Sequence, residues 1–402
     1  MSDTLCPMPF IHVNPTVSGY YRVCCNSPHQ IDYDEKTKAS PTTVKTTSCK
    51  KVFDHKIKKV REQMLKGERP IECKFCWDVE DKGAVSMRQL YKTAKSYTEI
   101  TDYDNPALKF LDIKFDNNCN LECRMCDPSS SKKHWNNFQY YVENDIELPY
   151  MWQHLFTKGV DHWEHKRDRD YNQDLKKQYI LEVLPTLRIL KVTGGEPFMS
   201  KDFYEILVHT IKNDYAKNLQ IKITTNGTKF IKKYLKLFQY FKNVKITLSI
   251  DGTQKIYDYI RYPFTWKQLE PNINKLMNAA DNIEFQASCI ITAYNWLNLT
   301  DVFKIFKAAN KWIYFDIHCR PNVSELNIKN LPNHLLEEGL TLLDKEYPYH
   351  EDIKKNVLTY YDNQDINTQK KMKETTLIFD KLRNQSYKDF LHPKMIDWLN
   401  TV

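Results

Sequence analysis

The sequence predicts an α/β protein built from repeated β-α units, and three observations carry that prediction. From Leu111 onward, short apolar runs alternate with helix-length amphipathic stretches, the pattern of a parallel sheet with crossover helices. Six of the runs have strand length. Their C-terminal ends carry clusters of Cys, Gly and polar residues, which is where the chemistry of any β/α barrel sits.

The expected strands are Leu111 to Phe115, Leu187 to Val192, Leu219 to Thr224, Val244 to Ile250, Ile283 to Ile291 and Lys311 to Ile317. At 402 residues, with 41% hydrophobic and 13% aromatic content, the chain can bury a large core with a small satellite domain. Between the first two strands, about 128–185 is long enough for an extra helix or two. Within it the polar, aromatic run Trp152 to Lys177 reads as a lid, a substrate platform or a solvated insertion. After residue 320 come helix-like pieces, Asn333 to Lys345 and Gln369 to Arg383, so residues 321–402 are expected to form a helical extension.

Residues 1–105 read as a small α+β domain. Cys6 and Cys24 bracket Phe10-Ile-His-Val13 and Gly19-Tyr-Tyr-Arg-Val23, a β-hairpin pattern with Gly19 at the turn. A basic helix, Asp54 to Lys66, is stopped by Gly67. Then Cys73-Lys-Phe-Cys76 forms a C-x2-C knuckle. Together Cys6, Cys24, Cys73 and Cys76 make four thiols in one small domain, and both a structural zinc ribbon and an iron-sulfur cluster suit such a set. Cys25 adjoins Cys24 and points to the opposite face of its strand, so Cys25 and Cys49 fall outside the ligand set.

The organising stretch of the chain is Cys119-Asn-Leu-Glu-Cys123-Arg-Met-Cys126, directly after the first barrel strand. Three thiolates in this spacing hold a soft metal centre. Zinc in a closed site takes four protein ligands, and no fourth Cys or His follows nearby. An iron-sulfur cluster with three Cys ligands leaves one iron open to a small molecule. One β-α step later stands Thr193-Gly194-Gly195-Glu196-Pro197. Two adjacent Gly, in a chain with only 9, suit close backbone approach to a ligand, with the Glu carboxylate available to an ammonium group.

The C-x3-C-x2-C run followed by Gly-Gly-Glu-Pro resembles the radical S-adenosylmethionine (SAM) superfamily. That resemblance implies a partial (β/α)6 barrel over residues 106–320 and a [4Fe-4S] cluster on Cys119, Cys123 and Cys126. It implies that SAM sits on the open iron, with Gly194, Gly195, Glu196 and Pro197 at its amino group. At later strand ends Asn226, Ser249 and Asp251 correspond to pocket-lining positions, and Arg261 to a residue that pairs with the SAM carboxylate. Met125 departs mildly from the aromatic residue common before the last Cys.

The four N-terminal Cys, in a C-x12-G-x4-C plus C-x2-C pattern, resemble the twitch module, the short form of the SPASM domain, which holds a second, auxiliary [4Fe-4S] cluster. Here it precedes the barrel, as in a group of N-terminal-twitch proteins. By the family's mechanism SAM is reductively cleaved to a 5′-deoxyadenosyl radical that abstracts hydrogen from a substrate. Relatives point first to a peptide or protein substrate and second to oxidation or rearrangement of a small sugar-like or nucleotide metabolite. An electron donor such as flavodoxin or ferredoxin is implied, and oxygen sensitivity follows. A metal-binding or electron-carrier protein without SAM chemistry is the non-enzymatic alternative. Asp316 and His318 are weak catalytic candidates, and Ser288 and Arg320 are further polar residues expected to project into the barrel.

The net charge of +8 is spread over segments such as Lys56 to Arg61 and Lys229 to Lys236. Solvated helix faces explain it, and no nucleic-acid partner is expected. The N-terminus has no signal-peptide pattern, and no window approaches a membrane span. A cytoplasmic protein is expected, with eleven Cys kept reduced for metal binding rather than disulfides.

Overall fold

The computed structural model describes residues 3–34, 36, 40–83, 85–153, 173–229, 232–309, 312–316, 325–346 and 366–402. Its strands are β1 (His12–Pro15), β2 (Tyr21–Arg22), β3 (Phe110–Lys114), β4 (Ile189–Thr193), β5 (Gln220–Thr225), β6 (Asn243–Ser249), β7 (Ile283–Ile290) and β8 (Trp312–Asp316). They form one sheet in the order β2-β1-β3-β4-β5-β6-β7-β8. Seven of them, β1 and β3 to β8, run parallel, and β2 is antiparallel to β1.

The six expected barrel strands are present as β3 to β8, and the sequence undercounts the parallel sheet by one. The expected hairpin does form, with Gly19 at φ +82°, but its first strand continues the main sheet. His12 and Val13 pair with Phe110 and Leu111, which covers the edge that β3 would otherwise expose. All four residues of β1 are buried, and Phe10, Val13 and Phe53 share one core with Leu111 and Leu190. The expected division near residue 105 therefore lies between two hydrogen-bonded strands.

Alternation builds the layers. In β5 and β6 the residues Ile221, Ile223, Val244, Ile246 and Leu248 are buried on one face, while the intervening Lys, Thr and Ser are only half-buried. Crossover helices Lys201–Lys212, Trp266–Met277 and Leu299–Ala308 contribute Phe203, Leu269 and Phe306 to the same core. The basic N-terminal helix begins earlier than expected: Cys49–Lys51 opens it, Val52–Lys56 is a wider helical turn that hands over to Lys58–Leu65, and Gly67 ends it at φ +80°.

Helices Asn333–Glu346, Ile366–Arg383 and Pro393–Thr401 form the C-terminal extension. Most of the Trp152 to Lys177 run, and also His318 and Arg320, lie outside the described residues. No helix among the described residues is long and apolar enough to cross a membrane.

Candidate functional site

The loop after β3 carries Cys119, Cys123 and Cys126, and its backbone is held from several elements. Glu122 and Arg124 donate their N–H groups to the carbonyls of Tyr262 and Ile260, at 2.7 and 2.9 Å. The Ser131 hydroxyl donates to the Leu121 carbonyl at 2.6 Å, and the Trp152 indole to the Cys126 carbonyl at 3.0 Å. His134 Nε2 lies 3.0 Å from the Cys123 carbonyl. With its backbone satisfied elsewhere, the loop packs Cys119, Leu121 and Cys123 into a small cluster lined by Met125, Cys126 and Phe264.

Donors reach these sulfurs. Asn226 Nδ2 lies 3.6 Å from Cys119 Sγ, and Arg261 Nη1 lies 3.9 Å from Cys123 Sγ. Burial pushes the Cys123 thiol up to about 11, against the pull of the Arg261 charge. Burial likewise raises Cys119 and Cys126. Such thiols give up their protons to a metal that binds them.

The Gly194-Gly195 pair has φ of +77° and +51°. A Cβ on Gly195 would sit 2.6 Å from the Asn118 carbonyl oxygen, and one on Gly194 would meet Lys114 at 2.8 Å. The close approach that requires glycine here is thus to the Cys loop itself, and the Glu196 N–H donates to the Asn118 carbonyl at 2.8 Å. The buried Glu196 carboxylate accepts from the Thr225 hydroxyl at 2.7 Å, the Asn226 N–H at 2.8 Å and the Phe198 N–H at 3.1 Å. Burial raises its pKa, and these donors oppose the shift. Glu196 therefore ties the end of β4 to the end of β5, and Pro197 opens the short turn that follows.

Asp251 and Arg261, expected as separate contacts to a ligand, are paired with each other. Arg261 Nε and Nη2 lie 2.7 and 2.5 Å from Asp251 Oδ2, and Asp251 Oδ1 accepts the Ile290 N–H at 2.8 Å. The pair is buried beside Cys123. Ser249 ends β6, half-buried, opposite Ser288 of β7. Asp316 ends β8, which places it at the same rim of the sheet.

Residues 113–317 match the family model for the radical SAM superfamily. The chain belongs to the radical SAM superfamily. Members of this superfamily are enzymes that use a [4Fe-4S] cluster and SAM, and the donor set here fits them: three soft thiols, with Asn226 and Arg261 aimed at the sulfurs as cluster-tuning donors are. No curated protein matches the chain significantly. Among solved structures, "Native anSMEcpe with bound AdoMet" is 20% identical, with a TM-score of 0.39. That match covers 62% of this chain and 63% of that one, less than two thirds of its length. "Crystal structure of Streptococcus suis SuiB" is 12% identical over 84% of this chain and 69% of that one, with a TM-score of 0.37. "Crystal structure of Streptococcus suis SuiB bound to precursor peptide SuiA" has the same identity and coverages, with a TM-score of 0.34.

A second cysteine group lies in the N-terminal segment of this radical SAM chain. Cys6, Cys24, Cys73 and Cys76 line one cavity together with Arg88 and Tyr91. The β1–β2 hairpin delivers Cys24, and the turn Ile71–Cys73 with helix Lys74–Asp81 delivers the other pair. Burial pushes Cys6 up to about 12 and raises Cys24, Cys73 and Cys76 as well. Arg88 fixes one wall, its Nε 2.9 Å from Glu80 Oε1 and its Nη1 3.0 Å from the Leu5 carbonyl. Cys25 and Cys49 do not line the cavity: Cys25 Sγ is 3.7 Å from Tyr91 Oη, and Cys49 Sγ is 3.8 Å from Tyr21 Oη. Among the described residues, no three Cys, His, Asp or Glu groups converge closely enough to grip one metal ion.

Sequence reasoning passed over Asn295 and Arg124. Asn295 Nδ2 donates to the carbonyls of Asp251 and Ile290, at 2.9 and 2.8 Å, and so holds the turn that carries Asp251. Arg124 was legible only as a charge between two ligand-type Cys. Its importance lies in where its guanidinium goes.

Proposed function

We propose that this protein reductively cleaves SAM and abstracts hydrogen from a peptide or protein substrate. The observation that carries the reading is the packing of Cys119, Cys123 and Cys126 into one cluster at the strand ends, with Asn226 and Arg261 reaching two of the sulfurs and the Gly194-Gly195 turn docked on the loop that carries them. When bound, the cluster supplies the electron and SAM the carbon radical for hydrogen abstraction.

The chain's own residues hold and shield. The three Cys are the cluster ligands. Gly194 to Pro197, Asn226 and Ser249 bound the SAM pocket, with Glu196 bracing its wall from within. The Asp251–Arg261 pair keeps a guanidinium beside Cys123 without an uncompensated charge. Braces from Trp152, Ser131 and His134 fix the loop's geometry.

The second cysteine group is read as the site of an auxiliary [4Fe-4S] cluster, supported by the gathering of all four thiols around one cavity. Electrons would come from a separate carrier such as flavodoxin or ferredoxin. For the peptide substrate, the support is the sheet face opposite the crossover helices, whose half-buried Lys, Thr, Gln and Ser side chains offer polar contacts along several strands.

Anaerobic reconstitution, reduction with dithionite and addition of SAM should release 5′-deoxyadenosine. Tightly bound zinc without iron would overturn the reading. With a deuterated peptide substrate, deuterium should appear in the 5′-deoxyadenosine.

A further inference from the structure

Three consecutive strands carry the same string, a lysine followed by Val or Ile and then threonine: Lys191-Val-Thr193 in β4, Lys222-Ile-Thr224 in β5 and Lys245-Ile-Thr247 in β6. The parallel pairing sets Lys191 beside Lys222 and Lys222 beside Lys245, with Asp112 of β3 and Glu284 of β7 ending the row. Residues two apart share a face of the sheet. Lys114, the three threonines and Gln286 therefore form the next row toward the C-terminal ends, and Ser249 and Ser288 the row after it.

These three rows are largely polar, and the buried Phe110 and Ile189 lie one row below Asp112 and Lys191 on the same face. The Lys191, Lys245 and Glu284 side chains keep 27%, 32% and 54% of their exposure. Aligned lysines on neighbouring strands repel one another, so each needs compensation. Lys191 has it from Asp112, with Nζ 2.8 Å from Oδ2, and Lys245 from Glu284 at 3.8 Å.

Lys222, between them, has no carboxylate partner among the described residues. Its ammonium reaches Tyr97 Oη at 3.3 Å and Ser96 Oγ at 3.4 Å, and lies 4.4 Å from the centre of the Tyr97 ring. Three ammoniums against two carboxylates leave the row one positive charge in excess.

We propose that Lys222 is the anchor for a carboxylate of the substrate, held on this face of the sheet with Ser96 and Tyr97 as its neighbours. The inference rests on the radical SAM reading above and narrows its substrate class. One negative charge matches the one uncompensated cation of that row. Lys222 stands three positions before the end of β5 at Thr225. At roughly 3.3 Å per residue the row lies about 10 Å below the rim that carries the Cys loop. That separation suits an extended peptide better than a small acid.

Charge supports the same assignment. Burial, followed by repulsion from Lys245 and Lys191, lowers Lys222 to about 8, with Glu284 as the opposing charge. A bound carboxylate favours the protonated form. Binding is therefore strongest below about pH 8 and weakens as the pH rises through that value.

The test uses trinitrobenzenesulfonate on the intact anaerobic protein at pH 8, with the labelled lysines mapped by mass spectrometry. Lys222 should be labelled ahead of surface lysines, because its neutral amine is abundant at that pH. Acetyl-glutamate amide should slow the labelling about tenfold, the protection given by a ligand at ten times its Kd, and acetyl-glutamine amide should not. Acetyl-alanine provides a terminal carboxylate: stronger protection by it assigns the anchor to a chain end, and stronger protection by the glutamate probe to a side chain. Calorimetric binding of the better probe should be lost in Lys222→Met. An unreactive Lys222, equal protection by acetyl-glutamine amide or better protection by inorganic phosphate overturns the assignment. Release of 5′-deoxyadenosine by the same unlabelled preparation reports on the radical reading separately.

Discussion

Arg124, between two of the proposed cluster ligands, forms a buried ion pair with Asp380 on the C-terminal helix Ile366–Arg383, with Nη2 2.6 Å from Oδ1. The guanidinium also lies 3.5 Å from the centre of the Tyr259 ring, and its Nε donates to the Tyr259 carbonyl at 2.9 Å. Asp380 in turn accepts the Tyr259 hydroxyl at 2.8 Å and the Tyr387 N–H at 2.6 Å. From the same helix, Arg383 donates to the Glu122 carbonyl. The C-terminal extension is thus a strap beneath the Cys loop.

Removing Asp380 leaves the Arg124 charge buried without its partner. Asp380→Ala should cost about 3–5 kcal/mol of stability, the range for breaking a buried pair from one side. Urea unfolding checks this, and iron content after anaerobic reconstitution should fall with it. Unchanged stability with full iron loading would show that the strap does not hold the loop.

At Gly195 both the backbone angle and the neighbour exclude a side chain. Gly195→Ala should lose at least about 1–2 kcal/mol from the left-handed conformation alone, and more from the contact with Asn118. Gly83 is the control: φ is +73°, and nothing lies within 4 Å of its added Cβ. If Gly83→Ala and Gly195→Ala lower the melting temperature equally, the docking of the Gly turn on the Cys loop is not energetically important.

Loss of single cysteines separates the two sites. With both loaded, the reconstituted protein should carry about eight irons if each holds a [4Fe-4S] unit. Cys123→Ala should abolish release of 5′-deoxyadenosine, whereas Cys73→Ala should leave about half the iron. A full iron complement in the second variant removes Cys73 from the ligand set.

His12 supplies a pH dependence. It is buried in β1, with Nδ1 2.9 Å from the Val23 carbonyl. Burial lowers its pKa from 6.5 to about 4, against the pull of Asp112 and of that carbonyl. Below pH 6.5 the unfolded chain takes up a proton that the folded chain refuses until about pH 4, so stability falls with pH across that window. The slope should be about 1.4 kcal/mol per pH unit, near 3 kcal/mol in all. His12→Asn keeps a donor for Val23 and should flatten the curve by that amount. A curve of unchanged slope would assign the acid sensitivity to other groups.

The barrel was legible because each strand from β3 to β8 is a short apolar run closed by turn residues, a signal that needs no knowledge of neighbours. The motifs at the strand ends were legible for the same local reason, since C-x3-C-x2-C and Gly-Gly-Glu-Pro are contiguous strings. β1 was read as a hairpin strand but not as part of the main sheet, because His12 and Val13 find Phe110 and Leu111 across almost a hundred residues. Arg261 was visible as a planar cation after the fourth barrel strand, and its partner Asp251 as a strand-end carboxylate. That they meet each other depends on how helix Gln254–Ile260 returns to the strand end.

By itself the sequence determined the alternation of strand and helix, the identity and spacing of the two cysteine groups, and the glycines where the backbone turns tightly. These are local, set by periodicity and residue type. Tertiary structure alone decided that the N-terminal segment extends the barrel sheet, that Asp380 locks Arg124, and that Lys191, Lys222 and Lys245 fall side by side. The physical reason is that charge compensation and strand pairing act between residues far apart in the chain. A lysine inside an apolar strand shows what it needs only when its neighbours across the sheet are known.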